Sequence, residues 1–147
     1  YWVWHRDLFV RVRAVNRDVV WLNLIFLLMV SLIPFAAAVL GEYSDEPIAL
    51  HLYGVVLIAV NTARIGLYQY VAKRPALLWE PSTHRSRRIG LAISAAPILL
   101  YLLAMLLADV APTASFVVYL AVPAAYFVLI TVLRERPVTA DDADEFS

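Results

Sequence analysis

Three long stretches of this chain, Val19–Leu40, Ile89–Ala108 and Thr113–Leu133, contain no Asp, Glu, Lys or Arg. A fourth, Pro47–Ala72, carries Arg64 alone. An α-helix rises about 1.5 Å per residue, so roughly 20 apolar residues match a hydrocarbon layer about 30 Å thick. Each stretch reaches that length. The pattern predicts an all-α, polytopic membrane helix bundle with four complete spans, residues 19–40, 47–72, 89–108 and 113–133. Residues 1–15 are also helical in character, with Trp2, Trp4 and Phe9 among apolar neighbours and Arg6, Arg11 and Arg13 further on. They suit the end of a preceding spanning helix or an amphipathic helix lying in the interface. The lack of a charged face over Tyr1–Trp4 favours the first.

Local signals mark the joints. Asn16-Arg17-Asp18 reads as a turn in which the Asp18 carboxylate caps the next helix. Trp21 suits the interfacial belt. Gly41 is a favoured helix stop, and Pro47 suits a first helical turn. The second span leaves through Tyr68, Tyr70 and Lys73. In the loop that follows, Leu77, Leu78 and Trp79 suit the headgroup layer. Pro34, Pro97 and Pro123 fall inside the first, third and fourth spans, where neighbouring helices must satisfy the freed carbonyls.

The charges assign the sides. Arg6, Arg11, Arg13 and Arg17 precede the first full span, Lys73, Arg74, Arg85, Arg87 and Arg88 separate the second and third, and Arg134 and Arg136 follow the fourth. The other two connections hold Glu42, Asp45, Glu46 and Asp109 without Lys or Arg. By the positive-inside rule the basic loops are cytoplasmic. The acidic tail, 137–147, is expected to be cytoplasmic and disordered. The transmembrane domain thus covers residues 1–136, and at least one more span is expected upstream of Tyr1. The expected location is the plasma membrane, multi-pass.

Composition agrees. Hydrophobic residues make up 63% of the 147 and charged residues 16%, against about 25% charged in a soluble domain. A formal net charge of zero gives no bulk attraction for nucleic acid. With no cysteine there is neither disulfide nor thiolate metal site. No G-K-[ST], H-E-x-x-H, G-x-S-x-G or T-V-G-Y-G run occurs, and His5, His51 and His84 fall in different segments. Neither an enzyme nor a cofactor is expected. The lipid bilayer is the expected solvent.

Candidate chemistry is therefore confined to polar groups within or beside the spans. Asn23 must face another helix, since an unpaired amide in hydrocarbon costs several kcal/mol. It either locks packing or touches a permeant ion. His51, near one end of the second span, is either an interfacial histidine or a titrating group. Asn61 and Arg64, three residues apart, share a helix face. Arg64 either pairs structurally or snorkels on the side of Tyr70, or it supplies a charge that repels cations or holds a gate. His5 follows Trp2 by three residues on one face.

The run Trp2-x-x-His5, Leu8-Phe9, Arg17-Asp18, Trp21-Leu22-Asn23-Leu24 and Ser31-Leu32-Ile33-Pro34-Phe35 resembles the second-to-third helix region of the transmembrane-protein-175 family. That family comprises bacterial channels and the endosomal/lysosomal potassium channel of animals. The resemblance implies a six-helix repeat, assembled as a homotetramer in bacterial members, with both termini cytoplasmic. It also implies a pore lined by a first helix bearing R-x-x-x-F-S-D. Carried over, Trp2, His5 and Asn23 form a hydrogen-bonding set that braces that helix. The signature itself does not occur in this sequence. The chain is accordingly expected to supply scaffold helices of a potassium channel, with K+ as permeant ion. Two other readings stay open: a non-transporting scaffold or accessory subunit, and a proton-linked carrier using His51, Asn61 and Arg64.

Overall fold

Backbone groups surrounded by apolar side chains bond most readily within their own segment, and helices make up most of the described residues. The computed structural model describes residues 2–79 and 84–134. Its regular elements are α1 (Trp2–Val10), α2 (Arg17–Ser31), α3 (Ile33–Glu42), α4 (Pro47–Ala72), a 3-10 turn (Pro75–Leu77), α5 (His84–Ala108) and α6 (Pro112–Arg134). The fold is all-α. Two helical runs, Arg17–Glu42 and Pro47–Ala72, are long and apolar enough to cross a membrane. Within α5 and α6 the shorter apolar segments Ala95–Ala108 and Pro112–Ala125 stand out. The tail over 137–147 lies outside the described residues.

The first run is broken once. Pro34 has no N–H to give to the Val30 carbonyl, so the helix tightens there. The Leu32 N–H turns to Met29 O at 3.2 Å, and the Ser31 hydroxyl donates to Leu28 O at 2.7 Å. Helical bonding resumes with Ala36 N–H to Leu32 O at 3.0 Å.

Two joints differ from the sequence expectation. The cap of α2 is Asn16, not Asp18: the Asn16 Oδ1 accepts from the Val19 N–H at 3.0 Å. Asp18 lies inside the first turn, too far along for the extended backbone a cap requires. Gly41 does not end the helix. α3 continues to Glu42 and closes on Tyr43, whose N–H reaches Val39 O at 3.0 Å. No described glycine adopts a positive φ.

α4 is the hub, packed against α2, α3, α5 and α6. Three buried clusters follow one another along it. At its Pro47 end, Ala49, Leu50 and Leu57 meet Leu40, Tyr101, Ala104, Ala108 and Tyr119. At mid-length, Val56 and Val60 meet Phe26 and Ala36. At its Ala72 end, Leu67 and Val71 meet Leu8, Val19, Leu77 and Leu78. Leu77 and Leu78 thus turn into the protein, where apolar partners exist, and only Trp79 of that trio is exposed. The segment is held by a short antiparallel bridge between Val12 and Leu78. Its bonds run from Arg13 N–H to Leu77 O at 2.8 Å and from Trp79 N–H to Arg11 O at 3.1 Å.

Neighbouring side chains crowd α4 at Gly54. A Cβ there would stand 2.3 Å from the Tyr119 hydroxyl and 2.6 Å from Met105 Cγ. Tyr119 is fully buried and cannot retreat, whereas Gly66 has nothing within 4 Å of the same position. Gly54→Val should cost about 1–3 kcal/mol through overpacking. Gly66→Ala should be neutral or stabilising by about 0.5–1 kcal/mol. Thermal unfolding of both variants in detergent checks the contrast.

Candidate functional site

Helical spacing builds the seam between α1 and α2. Trp2, His5 and Phe9 fall at i, i+3 and i+7 on α1, and Val19, Asn23 and Phe26 at i, i+4 and i+7 on α2. Val19 and Phe26 are fully buried, which sets the depth of the seam. The half-buried imidazole of His5 lies between aromatic rings. Its centroid is 4.7 Å from Phe9, 5.6 Å from Phe26 in a stacked arrangement, and 6.0 Å from Trp2, also stacked. Its Nε2–H donates to Asn23 Oδ1 at 2.7 Å. That bond fixes the ring against rotation and occupies the amide oxygen, the acceptor that would be costly to leave unmade. Trp2 closes the row and is 74% exposed. Beside it α2 presents exposed Val20, Leu24, Leu27 and Leu28. The three residues singled out by the family pattern are thus in one row, with an apolar surface around them.

The other sequence candidates are placed apart. His51 donates through Nδ1–H to Pro47 O at 2.7 Å, and its Nε2 is 3.6 Å from Asp109 Oδ2 on the α5–α6 turn. It stands between the start of α4 and that turn. Asn61 and Arg64 share the buried face of α4. The Asn61 amide donates to Leu57 O at 2.8 Å, one turn back. Arg64 is 3% exposed and does not snorkel. Its side chain is enclosed within the protein. Along α4, His51 is about 20 Å from Arg64 at the helical rise, so these three do not form one site.

Two polar clusters were not read from the sequence. In the first, Asn16 Nδ2–H donates to the Tyr70 hydroxyl at 3.0 Å, and Tyr70 donates to Asp18 Oδ2. Arg74 lies over the Tyr70 ring at 3.5 Å. This clasp joins the start of α2 to the end of α4 across more than fifty residues of sequence. In the second, Tyr53 meets Tyr119 edge-on at 5.3 Å, with Tyr101 at 6.1 Å and Ser115 one turn before Tyr119. Regular Tyr and Ser spacing on separate apolar helices gives no local sign of such a meeting.

Apolar helices of membrane length, with polar side chains drawn to helix seams, define a membrane protein. Residues 1–34 match the family model for "Endosomal/lysosomal potassium channel TMEM175". The chain is also 32% identical over 100 residues to a potassium channel of Streptomyces collinus, a match covering 63% of this chain and 48% of that protein. The chain therefore spans about half the length of the curated relative it matches. The family resemblance read from the sequence is thus found again, and both comparisons point to ion channels, which are not enzymes.

The His5–Asn23 bond should be measurable as a coupling. A double-mutant cycle of His5→Ala and Asn23→Ala, read by unfolding in detergent, should give an interaction of about 0.6–1.7 kcal/mol.

Proposed function

We propose that this chain is part of a potassium-selective channel and supplies scaffold helices around a central pore between subunits. K+ passes through that pore down its gradient. The observation that carries the reading is the row of Trp2, His5 and Asn23, held by the 2.7 Å bond and opening onto an apolar surface through exposed Trp2. A row that fixes its own rings and leaves one aromatic face uncovered suits the support of a further helix. The R-x-x-x-F-S-D helix of the family is that helix, and it is not within this sequence.

In this arrangement four spans cross the plasma membrane: α2 with α3, α4, α5 and α6. The loops bearing Arg11, Arg13, Lys73 and Arg74 are cytoplasmic, and the turn bearing Asp109 faces outward. The subunits form a homotetramer. The carrier reading finds no support in the geometry, because a proton relay needs its groups in sequence and His51 is remote from Asn61 and Arg64.

Potassium flux into liposomes carrying the full-length protein tests the reading. Wild type should conduct without a proton gradient. His5→Ala and Asn23→Ala should insert normally and shift conductance about 3- to 30-fold, the equivalent of ~0.6–2 kcal/mol on a gating equilibrium. Unaltered flux in both variants would remove the bracing role, and flux that requires a pH gradient would remove the channel.

A further inference from the structure

The Val12–Leu78 bridge does more than close a loop. It joins two basic segments that are far apart in sequence, Arg11–Arg17 and Lys73–Trp79. Between them they expose Arg11, Arg13, Arg17, Lys73 and Arg74. The acid among them, Asp18, accepts the Tyr70 hydroxyl and forms no salt bridge among the described residues. Next to them in sequence, Asp7 is already paired with Arg6 at 2.7 Å, and Glu80 lies outside the described residues.

Two of these arginines are presented in a particular way. The Arg13 guanidinium is 5.6 Å above the Trp79 indole, and that of Arg74 is 3.5 Å above the Tyr70 ring. A guanidinium over an aromatic face keeps in-plane N–H groups for a second partner, although one of those of Arg74, Nη1–H, is directed at the Tyr70 carbonyl at 3.5 Å. Such groups fit two oxygens of a phosphate. Trp79 is 67% exposed directly beside Arg13. Indole with an adjacent cation is the side-chain pair favoured at the headgroup layer. Beneath this surface Leu77 and Leu78 are buried, and the two backbone bonds of the bridge hold the segments in register. The surface is therefore formed in advance and costs little ordering on binding.

We propose that this surface binds the phosphate headgroup of an anionic phospholipid, with Arg11, Arg13 and Arg74 as its cationic contacts and Trp79 as its interfacial anchor. The proposal rests on the membrane reading above. The cytoplasmic leaflet of that reading is the one rich in anionic lipid.

The test uses the full-length protein in proteoliposomes containing brominated phosphatidylglycerol or brominated phosphatidylcholine. The Trp79 signal is the difference in fluorescence quenching between wild type and Trp79→Phe. Brominated phosphatidylglycerol should quench that signal more strongly. Added salt should weaken the preference, and inorganic phosphate in solution should leave it unchanged. Arg13→Gln and Arg74→Gln should each lower the preference roughly fivefold, with helical circular dichroism retained. Equal quenching by the two lipids would overturn the proposal, as would a preference that survives both substitutions. Loss of the preference to inorganic phosphate would reassign the surface to a soluble anion and also overturn it. Co-flotation with the vesicles after an alkaline wash reports on the membrane reading alone. A protein that floats yet shows no preference fails here without touching the channel, and one that does not float fails at the earlier step.

Discussion

A polar side chain can live in an apolar helix only if protein, not hydrocarbon, surrounds it. That constraint explains why α4 is the centre of the bundle. It carries Asn61 and Arg64, and both are buried by neighbouring helices. In its most apolar window 44% of the residues are buried, against 17% for the run that forms α2 and α3. The more apolar run can afford its place at the rim, since its exposed Leu24, Ile25, Leu28 and Phe35 suit lipid or another apolar helix. Composition thus sorts the helices by depth as well as marking them.

Division of labour follows from that sorting. α4, α5 and α6 meet through tight contacts such as Gly54 against Tyr119, where small changes in volume are felt. The seam of α1 and α2 is built differently, from stacked rings and a hydrogen bond, and one of its aromatic faces is uncovered. Polar contacts of this kind contribute modest energies in a membrane. They suit positioning better than they suit holding the fold together. The Asn16–Tyr70–Asp18 clasp then ties the seam to α4, so the row of Trp2, His5 and Asn23 has a fixed foundation.

The helices were legible because an uncharged run of spanning length has few other ways to satisfy its backbone. Their joints were less so. Asn16 and Asp18 are both good capping residues two positions apart, and only the backbone angle at Asn16 decides between them. Leu77 and Leu78 look like membrane-surface residues until Leu8 and Val19 are seen to cover them. Whether Arg64 snorkels depends on which helices flank it, which no local pattern records. The meeting of His5 with Asn23 was legible only through a family resemblance, since eighteen residues separate them and neither is unusual alone. The partners of Tyr70 had no such guide.

The interruption at Pro34 has a mechanical corollary. On one side of it, α2 is fastened to His5, Tyr70 and the cluster around Val19. On the other, Leu40 of α3 is fastened to the cluster around Leu50 and Tyr119. The proline removes one helical hydrogen bond at this step, so the two halves are held in line by their packing more than by a continuous ladder. The two halves are therefore fixed to different ends of α4, while Phe26 and Ala36, on either side of the step, share the cluster around Val56 and Val60.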